Sequence, residues 1–324
     1  MTSDQVILDR ALTLEIVRVT EQAAMAAAHL RGRGDEKAAD QAAVDAMRRE
    51  LNRLAISGRV VIGEGERDEA PMLFIGEEVG RGGPKVDIAV DPLEGTTICA
   101  KALPNALAVV AIATEGSLLH APDIYMDKIA IGPGFPEGLV DLDASPGDNL
   151  NALAKAKGVG ISKLTACILD RPRHGKLIEE VRATGAAIQL IGDGDIAGVI
   201  HTTDPEETGV DIYMGIGGAP EGVLAAAALR CIGGQIQARL YPMKQQDTER
   251  AAIIGITDIQ RKYSRDELAN GDVIFSATGV TSGSMLEGVR FRPNLIETET
   301  VVMRSATKTV RWIAAEHQFN DIQS

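Results

Sequence analysis

Residues 86–96 read Val-Asp-Ile-Ala-Val-Asp-Pro-Leu-Glu-Gly-Thr, and the fold around a candidate site is decided by this stretch. Its apolar beginning predicts a buried strand. Asp91 and Glu94 then stand three residues apart in a predicted turn, where proline fixes the backbone and glycine permits close approach of a ligand. Thr96 opens the next predicted helix, whose free amides can hold phosphate oxygens. The stretch therefore predicts a site where carboxylates hold cations next to a bound phosphate. The alternative is an acidic turn in which Glu94 or Thr96 caps the helix.

Upstream of this stretch, two further carboxylates stand out. Asp40 lies on the apolar face of a helix predicted over Asp35–Leu54, and a carboxylate placed there needs a partner because burying it unpaired is costly. That partner is either a metal ion or a lysine or helix amide. Glu64 follows a strand predicted over Arg59–Ile62 and has a glycine on each side, which favours close backbone approach. The alternative for Glu64 is a solvated acidic loop.

Downstream, strands predicted over Leu164–Leu169, Ala187–Ile191 and Val210–Met214 alternate with helices. This rhythm predicts a largely parallel, doubly wound sheet, and open sheets of this kind bind ligands at the carboxyl ends of their strands. Arginines there suit phosphate oxygens, aspartates suit sugar hydroxyls, and a glutamate in a first helical turn can reach a metal. The alternative is ordinary loop chemistry. The residues concerned are Arg171, Arg173, Asp193, Asp195 and Glu221.

Length and composition limit the class of protein. A chain of 324 residues predicts about two structural units. The predicted fold is α/β, with a metal-binding α+β domain over residues 1–155 built on a mainly antiparallel sheet and a doubly wound α/β substrate-binding domain over residues 156–324. The formal net charge of −13 argues against a nucleic-acid or anionic-membrane surface. Three cysteines without metal-ligand spacing, and the absence of a long apolar run, predict a cytoplasmic protein.

Residues 91–96 resemble the metal-binding motif of the lithium-sensitive, metal-dependent phosphatase superfamily, with Glu94 where that motif has aspartate. A wider set of ordered motifs resembles class II fructose-1,6-bisphosphatase over roughly residues 10 to 315. These motifs are Gly34-Asp35 with Ala39-Asp40, Val61–Glu66, Asp68–Met72, Ala121–Met126, Pro172-Arg173-His174, Asp193-Gly194-Asp195 and Gly215–Gly222.

The resemblance implies a layered α/β sugar-phosphatase fold and hydrolysis of the 1-phosphate of fructose 1,6-bisphosphate in gluconeogenesis, with Mg²⁺ or Mn²⁺. It also implies a homo-oligomer, a dimer or a tetramer. The implied metal ligands are Asp40, Glu64, Asp91, Glu94 and Glu221. The implied substrate contacts are Glu94, Gly95, Thr96, Tyr125, Arg171, Pro172, Arg173, Asp193, Gly194, Asp195 and Gly218. Some members of the family have lysine in place of Arg171, which changes the geometry of the contact but keeps its charge.

The implied metal ligands agree with the chemistry of their side chains. Five carboxylates without cysteine or histidine select hard cations, so Mg²⁺ or Mn²⁺ is favoured over zinc. Two such ions about 3.5–4 Å apart can support an in-line displacement at phosphorus. Thr96 is the candidate for orienting the attacking water or assisting its deprotonation, with Asp40 or Glu64 accepting a hydrogen bond from the threonine.

Other activities fit parts of the same pattern. Sedoheptulose 1,7-bisphosphate is an alternative substrate, alone or as a second activity. An inositol or nucleotide monophosphatase would share the metal motif but would have less use for Arg171 and Arg173, which are suited to a second, distal phosphate. A non-catalytic metal or sugar-phosphate sensor is an alternative of another class, although an intact ligand set together with Thr96 argues against it.

Overall fold

The computed structural model describes residues 8–63 and 73–318, and contacts within the chain divide it into two units. The first unit combines residues 1–118 with residues 271–324, and the second comprises residues 119–270. The predicted division into consecutive domains, 1–155 and 156–324, therefore needs correction. Its physical reason is long-range pairing: the strand Val273–Gly279 lies antiparallel to Leu107–Thr114, an association that no local sequence pattern reveals.

The helices and strands, numbered in chain order, are as follows. The helices are α1 (Leu12–Ala28), α2 (Glu36–Leu51), α3 (Thr96–Ala100), α4 (Pro146–Lys157), α5 (Gly175–Ala183), α6 (Asp195–His201), α7 (Pro205–Thr208), α8 (Ala219–Ile232), α9 (Gln245–Ile253) and α10 (Arg265–Leu268). The strands are β1 (Ser57–Ile62), β2 (Glu78–Val79), β3 (Lys85–Glu94), β4 (Leu107–Thr114), β5 (Tyr125–Ile131), β6 (Thr165–Leu169), β7 (Ala187–Ile191), β8 (Ile212–Gly218), β9 (Gln235–Tyr241), β10 (Tyr263–Ser264), β11 (Val273–Gly279), β12 (Arg290–Phe291), β13 (Leu295–Arg304) and β14 (Thr309–Gln318).

The first unit is built on a sheet in the order β12-β13-β11-β4-β3-β1-β2, with β14 pairing the other side of β13. Only β1 and β3 pair in parallel among the described strands of this sheet, which confirms the mainly antiparallel prediction. Helix α1 packs against β4, β11 and β13, and against α2. The predicted apolar stripe of α2 is fully buried at Val44, Met47 and Leu51. This core fixes the position of β3, the strand that ends in the candidate metal motif.

The second unit contains a sheet in the order β10-β9-β5-β8-β6-β7. Strands β7, β6 and β8 are parallel to one another, but β5 is antiparallel to both β8 and β9. The prediction of a doubly wound, largely parallel sheet is therefore correct only for three strands. A strand's apolar pattern gives its burial but not its direction, so the antiparallel entry of β5 was not predictable from it. The predicted α/β class with a layered sugar-phosphatase arrangement is confirmed.

Helices cover both faces of the second sheet. Apolar residues of α4 and α5 share a core cluster with Ile129 and Ile131 of β5 and Ile168 of β6. Helix α8 contacts β5, β8 and β9, and it also packs against α6. Successive residues of a strand point to opposite faces. The side chain of Lys128, which precedes Ile129 in β5, therefore faces α8 and α6 instead. Within the described residues, no helix is long and apolar enough to cross a membrane.

Candidate functional site

The end of β3 differs from the turn that the sequence predicts, because the strand continues through the motif as far as Glu94. Asp91 is opposite Val109 of β4, and Glu94 is opposite Leu107, so the pairing register shifts between them by one residue. A bulge of this kind re-aims side chains. In a regular strand, residues three apart point to opposite faces. Because of the bulge, this alternation does not hold between Asp91 and Glu94. Asp91 is half-buried and Glu94 is buried.

The residues after the bulge start a short helix. Gly95 has a φ of 83°, a left-handed conformation that favours glycine, and it occupies the N-cap of α3 without a side-chain cap bond. Thr96 is the first helical residue and is half-buried. No described residue makes a hydrogen bond with its hydroxyl group. The alternative in which Thr96 caps this helix is therefore not supported, and the Thr96 hydroxyl is open to a ligand.

Asp40 lies in α2, where the preceding Asp35 is the N-cap and accepts a hydrogen bond from the Ala38 amide at 3.0 Å. The Asp40 side chain is half-buried, and burial raises the pKa of its carboxyl group. No described residue forms a hydrogen bond or an ion pair with it, so the lysine or helix amide that would be its structural partner is not seen in residues 8–63 and 73–318. Glu64, the other predicted ligand of this region, lies outside the described residues.

The donor chemistry of the predicted metal ligands fits a hard cation, although the described residues do not form a closed metal site. No three carboxylate, imidazole or thiol groups within residues 8–63 and 73–318 lie close enough together to hold a metal ion. The ligands that are described, Asp40, Asp91, Glu94 and Glu221, offer oxygen atoms alone, which suits Mg²⁺ or Mn²⁺. In addition, Oε2 of Glu221 is buried without a hydrogen-bond partner in the described structure. A buried carboxylate oxygen in this condition fits a cation ligand.

In the second unit, the parallel pairing of β6 and β7 brings two predicted site segments together. Arg171 follows β6 and Asp193 follows β7, and their Nη2 and Oδ1 atoms are 3.9 Å apart. Pro172 begins a short 3₁₀ helix, and Gly194, with a φ of 86°, is the N-cap of α6. Both charged side chains are more than one-third exposed, so this ion pair is weak and leaves both groups able to bind a ligand.

Arg173 and His174 both form hydrogen bonds with the main chain of Ile216, near the end of β8. Arg173 donates from Nε and Nη2 to the carbonyl oxygen of Ile216 at 3.0 and 2.7 Å, and its guanidinium carbon lies 4.6 Å from the ring centre of Tyr125. The Ile216 amide donates to Nε2 of His174 at 2.8 Å, while Nδ1 of His174 lies 2.7 Å from the carbonyl oxygen of Leu169. His174 is therefore neutral with its proton on Nδ1. Burial lowers the pKa of His174, which agrees with the neutral form. Arg173 stays a predicted substrate contact, and the structure gives His174 a supporting role.

Asp195 belongs to a buried charge network that the sequence did not indicate. Lys128 of β5 donates from Nζ to Oδ2 of Asp195 and, at 2.8 Å, to the carbonyl oxygen of Gly218. Tyr213 also donates to Oδ2 of Asp195, at 3.4 Å. The Lys128 side chain is only 1% exposed. A signal was present, because Lys128 interrupts the buried face of β5 between Met126 and Ala130, and a charge in that place requires a partner.

Glu221 lies in the first turn of α8, at the junction that follows β8. Burial and the nearby carboxylate of Asp195 raise the pKa of Glu221 to about 7, and the ammonium of Lys128 opposes that rise. A Cβ atom built on Gly218 would lie 1.8 Å from Oε2 of Glu221, so only glycine leaves room for this carboxylate. The second unit therefore places Gly218, Asp195 and Glu221 around one buried lysine.

The cysteines give no support to a thiol mechanism. Cys99, Cys167 and Cys231 are buried. Burial raises the pKa of Cys167 to about 12 and also raises the pKa of Cys99. Because the thiolate is the nucleophilic form, Cys99 and Cys167 are inert core side chains.

Comparisons with known proteins agree with the motifs. Residues 10–317 match the family described as bacterial fructose-1,6-bisphosphatase, glpX-encoded. The chain is 45% identical to proteins named D-fructose 1,6-bisphosphatase class 2/sedoheptulose 1,7-bisphosphatase in Prochlorococcus marinus strains MIT 9303 and MIT 9313, over 96% of this chain and 97% of each relative. A protein of the same name in Synechococcus elongatus is 42% identical over 98% of this chain and 99% of its own length.

The family match extends over nearly the whole described structure, and the relatives are aligned over nearly their full lengths. The match includes both units and all of the predicted site segments. Membership in such a family of phosphatases indicates an enzyme that depends on a divalent metal. The chain belongs to the glpX-type family of bacterial fructose-1,6-bisphosphatases.

Proposed function

We propose that this enzyme hydrolyses the 1-phosphate of fructose 1,6-bisphosphate, giving fructose 6-phosphate and inorganic phosphate. The observation that carries the proposal is the family match over residues 10–317, which includes the carboxylate motif at the end of β3. The relatives named as enzymes at 42–45% identity argue against a non-catalytic sensor. We place the reaction in gluconeogenesis in the cytoplasm, and we propose that the protein is a homo-oligomer that binds neither nucleic acid nor membranes.

Sedoheptulose 1,7-bisphosphate is the second candidate substrate. The named relatives carry both activities in their descriptions, and this is the specific observation that favours it. Both sugars have a phosphate at each end, so the same anion-binding arginines would serve either. An inositol or nucleotide monophosphate would leave one of those phosphate contacts unused.

The proposed metal ligands are Asp40, Glu64, Asp91 and Glu94 in the first unit and Glu221 in the second. We propose two or more Mg²⁺ or Mn²⁺ ions. When bound, they would offset the charge of the phosphate, lower the pKa of water and stabilise the leaving alkoxide. The carboxylates of the chain hold the cations by their oxygen atoms, and they leave the hydroxyl of Thr96 and the arginines to contact water and substrate.

Thr96 is the proposed catalytic hydroxyl group, with Asp40 or Glu64 accepting a hydrogen bond from it. Its position supports this role, because it follows Glu94 directly after Gly95 and has no described hydrogen-bond partner. Thr96 would orient the attacking water toward the phosphorus atom. The amides of Gly95 and Thr96 and the carboxylate of Glu94 would contact the substrate in the same region.

The proposed substrate contacts in the second unit divide by chemistry. Arg171 and Arg173, on either side of Pro172, would bind the oxygens of the distal phosphate with Tyr125. Asp193 and Asp195, with Gly194 between them, would accept hydrogen bonds from sugar hydroxyls. Two of the five N–H groups of Arg173 bond to Ile216, and its Nη1 has no described partner, which leaves donors for a phosphate. Gly218 would allow the substrate to approach the backbone closely.

Phosphate release from a panel of substrates tests the proposal. We expect release from fructose 1,6-bisphosphate, with sedoheptulose 1,7-bisphosphate as a second substrate and inositol monophosphate as the negative control. Activity should vanish in excess EDTA and return when Mn²⁺ or Mg²⁺ is added after dialysis. Full activity in excess EDTA would contradict the metal mechanism, and preference for inositol monophosphate would contradict the proposed substrate class.

A further inference from the structure

Lys128 is a buried cation in the centre of the second unit. It lies on β5, and its side chain faces the side of the sheet that α6 and α8 cover. With 1% of its side chain exposed, it has left water almost completely, which is costly for an ammonium group unless the charge is paired and hydrogen-bonded. A lysine in this position therefore indicates a specific requirement for positive charge.

The partners of Lys128 are groups that the proposed function assigns to the substrate. Its Nζ donates to Oδ2 of Asp195 and to the carbonyl oxygen of Gly218. Oδ2 of Asp195 also accepts from Tyr213. No described residue donates to Oδ1 of Asp195. The network thus fixes one oxygen of the carboxylate inside the unit and leaves the other to accept a hydrogen bond from a ligand.

The backbone around the network is shaped to contain it. A Cβ atom on Gly217 would lie 2.0 Å from Oδ2 of Asp195 and 2.9 Å from Nζ of Lys128. A Cβ on Gly222 would lie 2.8 Å from the sulfur of Met126 and 3.3 Å from Cδ of Lys128. Neither glycine has a left-handed φ, so the backbone conformation does not explain them. Close packing around the lysine and its partner does.

We propose that Lys128 is a positioning residue, whose buried ammonium group holds the Asp195 carboxylate and the Gly218 carbonyl in the arrangement that binds substrate and aims Glu221. This inference rests on the proposed function, because it takes the substrate and cation roles of those three residues from it. Lys128 itself touches neither substrate nor cation. It acts through the junction between β8 and α8, where Gly218 immediately precedes the first helical turn and Glu221 lies within that turn.

The proposal has a definite kinetic consequence. Without the ammonium group, Oδ2 of Asp195 loses its charged donor and the Gly218 carbonyl loses its 2.8 Å hydrogen bond. Loss of a residue that orients ligand-binding side chains typically lowers activity or metal affinity 10- to 100-fold. We expect Lys128→Met to lower kcat/KM by about that factor, mostly through a higher KM, because the lost partners belong to substrate binding.

Lys157→Met is the matched control. Lys157 is also a lysine of the second unit paired with a buried aspartate, Asp211, but it lies at the end of α4 and contacts none of the proposed site residues. Steady-state kinetics, Mn²⁺ binding by titration without substrate, and thermal unfolding should be measured for the full-length wild type and both variants. We expect a raised KM and weaker Mn²⁺ binding for K128M, and unchanged values for K157M at temperatures below unfolding.

The outcomes separate the inference from the function. If K128M is not recovered folded, Lys128→Gln, which keeps a donor, takes its place under the same criteria. Values of kcat/KM and Mn²⁺ affinity within twofold of K157M would overturn the positioning role. Failure of both Lys128 variants to fold, with K157M folded, would also overturn it and assign Lys128 to folding. A wild-type enzyme that releases no phosphate would instead count against the proposed function.

Discussion

The end of β3 in the first unit and the junction of β8 and α8 in the second use charge in different ways. At the end of β3 the candidate groups are acidic, and Asp40 has no described cationic partner. At the junction the buried Lys128 is paired with Asp195. In the same unit, Arg171 and Arg173 follow the end of β6. We therefore propose that bound cations would supply positive charge to the first region. The second supplies its own, and it is suited to anionic and hydroxyl groups of a substrate.

The same contrast separates two buried carboxyl groups that are 5% exposed. Asp195 of the second unit is paired with Lys128. Glu21 of α1 in the first unit accepts a 3.4 Å hydrogen bond from Thr298 and lies 3.8 Å from Nε2 of His317. Burial raises the pKa of Glu21 to about 7, although Thr298 and Arg18 act in the opposite direction. A carboxyl buried without a strong cationic partner thus keeps its proton more readily.

The largest expected effect is at Thr96. If the first unit carries the catalytic step and the second binds the substrate, a change at Thr96 should affect turnover rather than binding. Thr96→Ala should lower kcat by about 10²–10⁴, because positioned proton transfer typically contributes that factor. KM and metal affinity should stay nearly constant, since the interaction is made mainly in the transition state. Steady-state kinetics with fructose 1,6-bisphosphate and a Mn²⁺ titration would measure these quantities.

Thr96→Ser is the control for this prediction, because it keeps the hydroxyl and should retain much of the activity. A structural role would have a different signature. Gly95 rather than Thr96 occupies the N-cap, so loss of the hydroxyl should change the melting temperature little. Near wild-type turnover by T96A would remove the catalytic role and weaken the assignment of chemistry to the first unit.

The first region was largely predictable because its chemistry is contiguous. Asp91, Glu94 and Thr96 fall within six residues, and the apolar run before them announces a buried strand. The helical spacing around Asp40 likewise gave its partial burial correctly. The bulge between Asp91 and Glu94 was not predictable, because it depends on the register of β3 against β4. The pattern suggested a turn where the strand in fact continues.

The second region was predictable only in part because its contacts join distant residues. The carboxyl ends of β6 and β7 were correctly placed together, as the 3.9 Å approach of Arg171 and Asp193 shows. The direction of β5 and the return of β11 to the first unit depend on pairing across many residues. Lys128 reaches Asp195 across 67 residues of sequence, so its role follows from packing and not from a motif.

Stability should depend on pH through Glu21 more strongly than through a paired acid. Its folded-state pKa of about 7 exceeds the ordinary value of 4.5. The contribution of protonated Glu21 to the free energy of unfolding is therefore fully present below pH 4.5 and is lost as pH rises through 7. The difference corresponds to about 3 kcal/mol at 1.36 kcal/mol per pKa unit. Glu21→Gln should therefore stabilise the first unit at pH 8.5 by up to that amount, with little effect at pH 4.5. Chemical denaturation at both pH values measures it.

Glu50→Gln is the matched control within the same unit. Glu50 is 6% exposed but accepts from Nη1 of Arg53 at 2.9 Å, so its loss breaks an ion pair and should bring no gain in stability at pH 8.5. A pH dependence of E21Q equal to that of the wild type would show that Glu21 does not titrate in this window. The contrast between Glu21 and the buried carboxyl groups that pair with lysine or arginine would then fail.

The remaining prediction concerns Arg173 and the binding role of the second unit. Arg173→Ala should raise KM for fructose 1,6-bisphosphate roughly 10- to 150-fold, since a hydrogen bond to a charged group contributes about 1.5–3 kcal/mol. The increase in KM should be much smaller with fructose 1-phosphate, which has no distal phosphate. Arg182→Ala, an exposed arginine on α5, is the control and should leave KM unchanged. Arg173 also holds the Ile216 carbonyl, and loss of that support would affect both substrates alike. Equal increases of KM for the two substrates would therefore assign Arg173 to the structure of β8 and show that it does not bind the distal phosphate.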